Sequence, residues 1–158
     1  MWDLVEKKVG TGSSGTITFS SLDGDADKLY RIIGTGNASS AALAQLYWNG
    51  AATNVTTNNW YDNAGTWTRD TGGTRLFVPT NTDVVQMEIL IYADKTVASV
   101  RLAMSEVTLG GTTNVVHRGA HRYNDTTTNI TSLALVLSTG NWTTKSEFWL
   151  YKLSDPTG

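Results

Sequence analysis

Alternation of apolar and polar residues near the C-terminal end constrains the fold of this chain more than any other feature of its sequence. In residues 130–138, Leu133, Leu135 and Leu137 fall on one face and the intervening residues on the other. A second run, residues 146–153, is rich in aromatic and aliphatic side chains, and we expect the side chains of these kinds throughout residues 129–153 to lie in the core. Period-two alternation predicts half-buried strands, and the short link containing Gly140 predicts that the two runs form an antiparallel pair closing a sheet.

Runs of the same kind recur along the whole chain. Strands are predicted at residues 2–9, 16–22, 28–34, 43–48, 74–78, 84–93, 97–107 and 113–123. Residues 53–71 are polar and rich in turn formers, which predicts one or two short strands joined by a long loop. About ten short strands separated by turns, without a substantial helix, predict an all-β protein: a two-sheet antiparallel sandwich, of jelly-roll topology, forming a single domain over residues 1–158.

Two local patterns make the prediction more detailed. Asn49-Gly50 is a strong signal for a type I′ turn after a strand. The clearest hairpin pairs residues 84–93 with residues 97–107 through a tight connection at Asp94 and Lys95. In the second of these strands, hydrophobicity predicts that Leu102 and Met104 face the core and that alternate residues such as Arg101 face out.

Composition excludes several classes of function. The absence of cysteine excludes disulfides, thiolate metal sites and a cysteine nucleophile. A net charge of -2 with scattered basic residues predicts no nucleic-acid partner. The sequence has no apolar run of about 18 residues and starts without the pattern of a signal peptide, so we expect cytoplasmic synthesis, no secretion by a signal peptide and no membrane insertion.

Alternating aspartates at Asp23, Asp25 and Asp27 are the one weak candidate for a metal site, with Ca²⁺ as the ion. They depart from the EF-hand pattern, because Lys28 stands where that loop needs glycine and Gly34 where it needs glutamate. The alternative is a tight turn fixed by Asx hydrogen bonds. No other metal and no cofactor is predicted.

Two His-Arg pairs, His117-Arg118 and His121-Arg122, form the most basic strand of the chain. On a regular strand the two histidines share one face about 13 Å apart, too far to bind one metal ion together. Gly119 lies between the pairs and predicts either a continuous strand or a break. All four residues are candidates for an interface with an acidic neighbouring subunit.

Aromatic residues supply the remaining binding candidates. Trp60, Tyr61 and Trp67 lie on a polar stretch, where aromatic rings suit sugar stacking or a protein interface. Trp2 is a candidate contact of the N-terminal segment, and Trp48 is expected in the core.

No catalytic residue and no enzyme activity is predicted. The sequence has no nucleophile elbow, phosphate-binding loop or HExxH motif. Carboxylates such as Glu88 and Glu106 have no partner in the sequence that marks a glycosidase, although a pair can still assemble in space.

The chain resembles small β-sandwich virion proteins of tailed bacteriophages, which include capsid decoration (cement) proteins, head fibres and tail appendages. The resemblance rests on Phe19, Leu22 and Asp23 before the strand at residues 30–32, and on the aromatic closing strand, in which Lys152 replaces a family glycine. It implies a structural or adhesive role in the virion, commonly as a homotrimer.

Three functional hypotheses follow from the residues and the resemblance together. The first is a capsid decoration protein that binds the major capsid protein or other virion proteins on the outside of the shell and stabilises it. The second is a tail or baseplate receptor-binding module that recognises cell-surface glycan. The third is a carbohydrate-active enzyme or a free carbohydrate-binding module.

Overall fold

Antiparallel strands make up nearly all of the regular secondary structure in the computed structural model, which describes residues 1–51, 55–63, 66–71, 75–77, 84–94, 101–110, 115–125 and 127–153. These described residues contain twelve strands: β1 Trp2–Val9, β2 Thr16–Phe19, β3 Leu29–Gly36, β4 Ala44–Trp48, β5 Val55–Asn63, β6 Thr66–Thr71, β7 Arg75–Phe77, β8 Val84–Tyr92, β9 Arg101–Gly110, β10 Val115–Tyr123, β11 Leu133–Leu137 and β12 Glu147–Leu153. One helical turn, α1 Gly24–Asp27, lies between β2 and β3. The helical structure of the described residues is therefore too short to cross a membrane.

The strands form two antiparallel sheets, which confirms the predicted fold class. The eight-stranded sheet has the order β1-β12-β3-β8-β9-β10-β5-β6, and the four-stranded sheet has the order β2-β11-β4-β7. Successive strands change sheet at both ends of the chain. This order is compatible with the predicted jelly roll, which stays a prediction, and the strands β9, β10, β5 and β6 extend the larger sheet beyond β8.

The hydrophobic core takes side chains from both sheets. In the larger sheet, alternate residues of β3, β8 and β12 are buried, and in the smaller sheet β4 and β11 supply the facing side chains. Trp142 is buried in the connection between β11 and β12, where its ring packs edge-on against Phe148 at a centroid distance of 5.1 Å. Its indole Nε1 donates a hydrogen bond to the carbonyl oxygen of Leu135 at 3.2 Å. One side chain thus joins β12 to β11 across the core.

The prediction that residues 130–138 and 146–153 pair with each other is wrong. β11 pairs with β2 and β4 in the four-stranded sheet, whereas β12 pairs with β1 and β3 in the eight-stranded sheet. The connection between them crosses the core through Trp142, so the two strands lie in opposite layers. Alternation correctly indicated that both are strands, but periodicity carries no information about which strands become neighbours.

The β8–β9 hairpin is confirmed, but its predicted orientation in β9 is wrong. Arg101, Ala103 and Ser105 are buried, whereas Leu102 and Met104 are 44% and 54% exposed. The register explains the reversal, because Ala103 and Ser105 lie opposite the buried isoleucines of β8, and directly opposite residues share a face. Tyr92 pairs with Leu102, so the connection between the two strands is longer than the tight one predicted at Asp94 and Lys95. Part of this connection lies outside the described residues.

Residues 53–71 contain two strands, as predicted, but the predicted long loop between them is wrong, because β5 and β6 pair as a hairpin. β10 runs unbroken through Gly119. A Cβ atom at Gly119 would collide with the Asn59 side chain and lie 2.7 Å from Ser105 Oγ and His121 Nε2. Close packing on the inner face therefore explains this glycine. At the predicted type I′ turn, Asn49 and Gly50 both have positive φ, as that turn requires.

Candidate ligand-binding groove

A groove of about 880 Å³ lies on the outer face of the eight-stranded sheet, the face turned away from the core. The strand register places one residue of each strand in a single line across this face. We call this line the central row; from one sheet edge to the other it consists of Lys7, Trp149, Ile33, Glu88, Glu106, Arg118, Trp60 and Arg69. Six of its eight members, all but Lys7 and Arg69 at the ends, line the groove.

Two tryptophans stand at the two ends of the groove. Trp60 is 41% exposed, and Trp149 is half-buried. The side chain of Lys7 lies over the Trp149 ring at 5.1 Å, and that of Arg69 over the Trp60 ring at 5.9 Å. Five strand spacings of about 4.8 Å separate the tryptophans, or about 24 Å along the sheet. Each end of the groove therefore presents an indole with a cation beside it.

The middle of the groove carries paired charges. Glu88 and Glu106 lie directly opposite each other on β8 and β9, an arrangement in which like charges repel. Each carboxylate accepts a hydrogen bond from an arginine: Glu88 from Arg31 Nε at 2.9 Å, and Glu106 from Arg118 Nε at 3.1 Å. These ion pairs offset the repulsion and hold both carboxylates in place.

The two sides of the central row differ in chemistry. Toward one side the groove is lined by the aliphatic and thioether side chains of Leu90 and Met104. Toward the other side it is lined by hydroxyl and amide groups on β3, β8 and β9, from Thr35, Gln86 and Thr108. A ligand lying along the row would meet an apolar surface on one flank and hydrogen-bonding groups on the other.

Four of the predicted binding residues are placed in or near this face. Trp60 and Arg118 line the groove itself. Arg122 is exposed and lies opposite Leu102, farther along β10. Trp2 packs at 5.8 Å from the guanidinium of Arg31, near the β1 edge. The backbones of Tyr61 and Trp67 lie in β5 and β6, and their side chains fall outside the described residues.

The two histidines predicted as interface residues point into the protein, away from the outer face of the sheet. His117 and His121 are buried on the inner face of β10, so they do not share the surface of Arg118 and Arg122. His121 Nε2 is 2.9 Å from the hydroxyl of Ser105, which is also buried. Burial lowers the pKa of His121 to about 4. Of the four residues predicted for an interface on β10, the two arginines are therefore on the surface and the two histidines are not.

This buried histidine makes stability depend on pH. Because the pKa of His121 is about 4 in the folded chain and 6.5 when exposed, its stabilising effect is complete above pH 6.5 and is lost as the pH falls toward 4. The loss should reach about 3 kcal/mol of unfolding free energy. Urea unfolding of the wild type and of His121→Gln across this pH range measures it, since other titrating groups are common to both. Parallel pH profiles for the two proteins would contradict this assignment.

The three aspartates of the weak Ca²⁺ candidate are engaged separately. Asp23 caps α1 by accepting the backbone N–H of Ala26 at 3.2 Å, so a one-turn helix lies where the alternative predicted an Asx turn. Asp27 accepts from the hydroxyl of Tyr30 at 2.7 Å and from Lys152 Nζ at 2.9 Å. Asp25 lies 3.8 Å from the buried guanidinium of Arg101. Among the described residues, no group of three potential ligands is placed to hold a metal ion.

Several groove residues were missed or misassigned from sequence. Trp149 and Met104 were assigned to the core, and Glu88 and Glu106 had no partner along the chain. The signal that would have found them is the strand register, which a single sequence does not contain.

Comparisons with protein-family models, curated proteins and solved structures found no match to this chain.

Proposed function

We propose that this chain is a glycan-binding β-sandwich module. The observation that carries the proposal is the central row, with Trp60 and Trp149 at the ends of an open groove and charged residues between them. Indole faces stack on the apolar faces of sugar rings, and carboxylates and guanidinium groups hydrogen-bond hydroxyls. The row lies on neighbouring strands of one sheet, so its spacing is set by backbone pairing before the ligand arrives.

The groove favours binding over hydrolysis. A glycosidase commonly uses two carboxyl groups in different roles, one as an acid and the other as a base or nucleophile. Glu88 and Glu106 have matching surroundings, because each is held by an arginine on the same open face. Nothing in this arrangement assigns them different roles. We therefore propose no enzymatic activity for the pair.

Trp60→Ala and Trp149→Ala should each weaken glycan binding about tenfold to a hundredfold, because a stacked aromatic at a binding site typically contributes about 1.4–2.7 kcal/mol. A glycan array followed by calorimetric titration with the best ligand measures the change. Leu102→Ala is the matched control, since Leu102 lies on the same face but does not line the groove. Absence of glycan binding by the wild type, or unchanged affinity in both tryptophan variants, would overturn the proposal.

The resemblance to phage virion proteins supports a proposal about where this module is located. We propose that it serves as a receptor-binding part of a tail or baseplate, assembled as a homotrimer, so that three weak glycan sites act together. Its localisation would then be the surface of the virion. Labelling that places the protein only on the capsid would contradict the tail position.

Capsid decoration is the second candidate. It is favoured by the apolar residues Tyr92, Leu102 and Met104, which lie exposed on neighbouring strands of the outer face. Exposed apolar patches mark protein contacts, and the major capsid protein would cover this one. Under this candidate Leu102→Ala weakens attachment to capsids, and Trp60→Ala does not. The same variants therefore distinguish the two functions.

A further inference from the structure

We propose that the groove takes a neutral, extended oligosaccharide lying lengthwise along the central row. This inference rests on the proposed glycan-binding function and specifies its ligand. It draws on three separate features of the groove: its charge balance, its length and the difference between its two flanks.

Charge balance argues for a neutral ligand. Glu88 is paired with Arg31, Glu106 with Arg118, and Lys7 with Glu147 at 3.3 Å. These pairs cancel most of the net charge along the row, so an anionic or cationic chain gains little attraction. The same groups remain good hydrogen-bonding partners, because a carboxylate has about four acceptor sites and a guanidinium five donors. Hydroxyl groups, which both donate and accept, match such a surface best.

The length of the row argues for a chain of several sugar units. Trp60 and Trp149 are about 24 Å apart by strand spacing, which a single sugar ring cannot span. A short ligand can stack on one tryptophan only. A longer one reaches both and forms the second contact without a second loss of translational freedom. Affinity should therefore rise with chain length until both ends are occupied.

The flanks argue that the chain lies with a fixed side toward each edge of the groove. Leu90 and Met104 line one flank, and Gln86 and Thr108 line the other. An extended sugar chain that exposes C–H groups along one side and hydroxyl groups along the other complements both. A charged chain of the same length would have to place its carboxylates or sulfates against Glu88 and Glu106, whose neighbouring arginines, Arg31 and Arg118, are already paired with them.

The experiment titrates the intact chain with neutral oligosaccharides from the disaccharide to the hexasaccharide, and with a polyuronate oligosaccharide of the same length. The neutral hexamer should bind at least about tenfold more tightly than the dimer. Its affinity should change less than about twofold between low and high salt, because a ligand without net charge has no Coulomb attraction for salt to screen. The polyuronate should bind more weakly than the neutral hexamer.

Glu106→Gln provides a variant that tests the charge argument directly. It keeps the shape of the side chain but leaves Arg118 without its ionised partner, so polyuronate binding should strengthen by about threefold or more and become salt-dependent. Tighter binding of polyuronate than of the neutral chain by the wild type, lost on Trp60→Ala, would overturn this inference and leave the proposed function standing. Absence of binding to every glycan tested would overturn both.

Discussion

Trp142→Ala should lower the free energy of unfolding by about 3–5 kcal/mol, the range for truncating a large buried aromatic side chain. Trp142 is completely buried and contacts both layers of the sandwich, through the Phe148 ring of β12 and the Leu135 carbonyl of β11. Its ring also fills the space beside Gly36, where a Cβ atom would lie 2.7 Å from it. Removing the indole leaves a cavity and removes a hydrogen bond to the Leu135 carbonyl at the same position.

Urea unfolding followed by far-ultraviolet circular dichroism measures this loss without depending on tryptophan fluorescence. Trp149→Ala is the matched control, because Trp149 is half-buried on the outer face of the adjacent strand. It should lower stability by clearly less than Trp142→Ala. Equal losses in the two variants would show that Trp142 does not join the layers as described.

Trp142 and Trp149 show which structural features could be predicted from the sequence and which could not. Both lie in residues 129–153, a stretch whose aromatic side chains were all assigned to the core from their pattern. The strands themselves were predicted correctly, because alternation is a property of each strand alone. Whether Trp149 points inward or outward depends on the sheet to which β12 belongs, and that is decided by pairing with β1 and β3.

β9 illustrates the same limit more sharply. Its inner face carries Arg101 and Ser105, and its outer face carries Leu102 and Met104. Hydrophobicity therefore predicts the wrong orientation, because the outer side chains are the more apolar. The inversion occurs in the strand that supplies Glu106 and Met104 to the groove. Exceptions to the rule that the apolar side chains of a strand face the core are expected where a surface has a function in addition to its role in folding.

The candidate site was partly predicted for a related reason. Trp60 and Arg118 were recognised because aromatic and basic residues in polar surroundings are unusual on their own. Glu88 and Glu106 were not recognised as a pair, since their relation exists only across the β8–β9 register. The sequence therefore predicts groove residues that are unusual for their surroundings along the chain. It does not predict groove residues whose role depends on the residue opposite them on the next strand.

Replacing Arg101 should have the second large effect on stability. Its side chain is fully buried, and Nη1 donates to the Asp125 carbonyl at 3.0 Å, while Nη2 lies 3.8 Å from Asp25 Oδ1. The guanidinium carbon lies 6.0 Å from the Tyr123 ring, which stacks on Trp48 at 5.2 Å. Arg101→Ala removes all of these contacts and should lower the unfolding free energy by about 3–5 kcal/mol.

Arg101→Met separates packing from charge, because it keeps most of the volume and loses the guanidinium. Arg101 Nε forms no hydrogen bond to a described residue, so part of the buried charge is poorly compensated, and removing it relieves that desolvation. Arg101→Met should therefore lose less stability than Arg101→Ala, by about 1–3 kcal/mol. The comparison uses the same urea unfolding assay. If alanine and methionine lose equally, the polar contacts to Asp125 and Asp25 hold the start of β9; if alanine loses nothing, Arg101 does not contribute to stability as its burial implies.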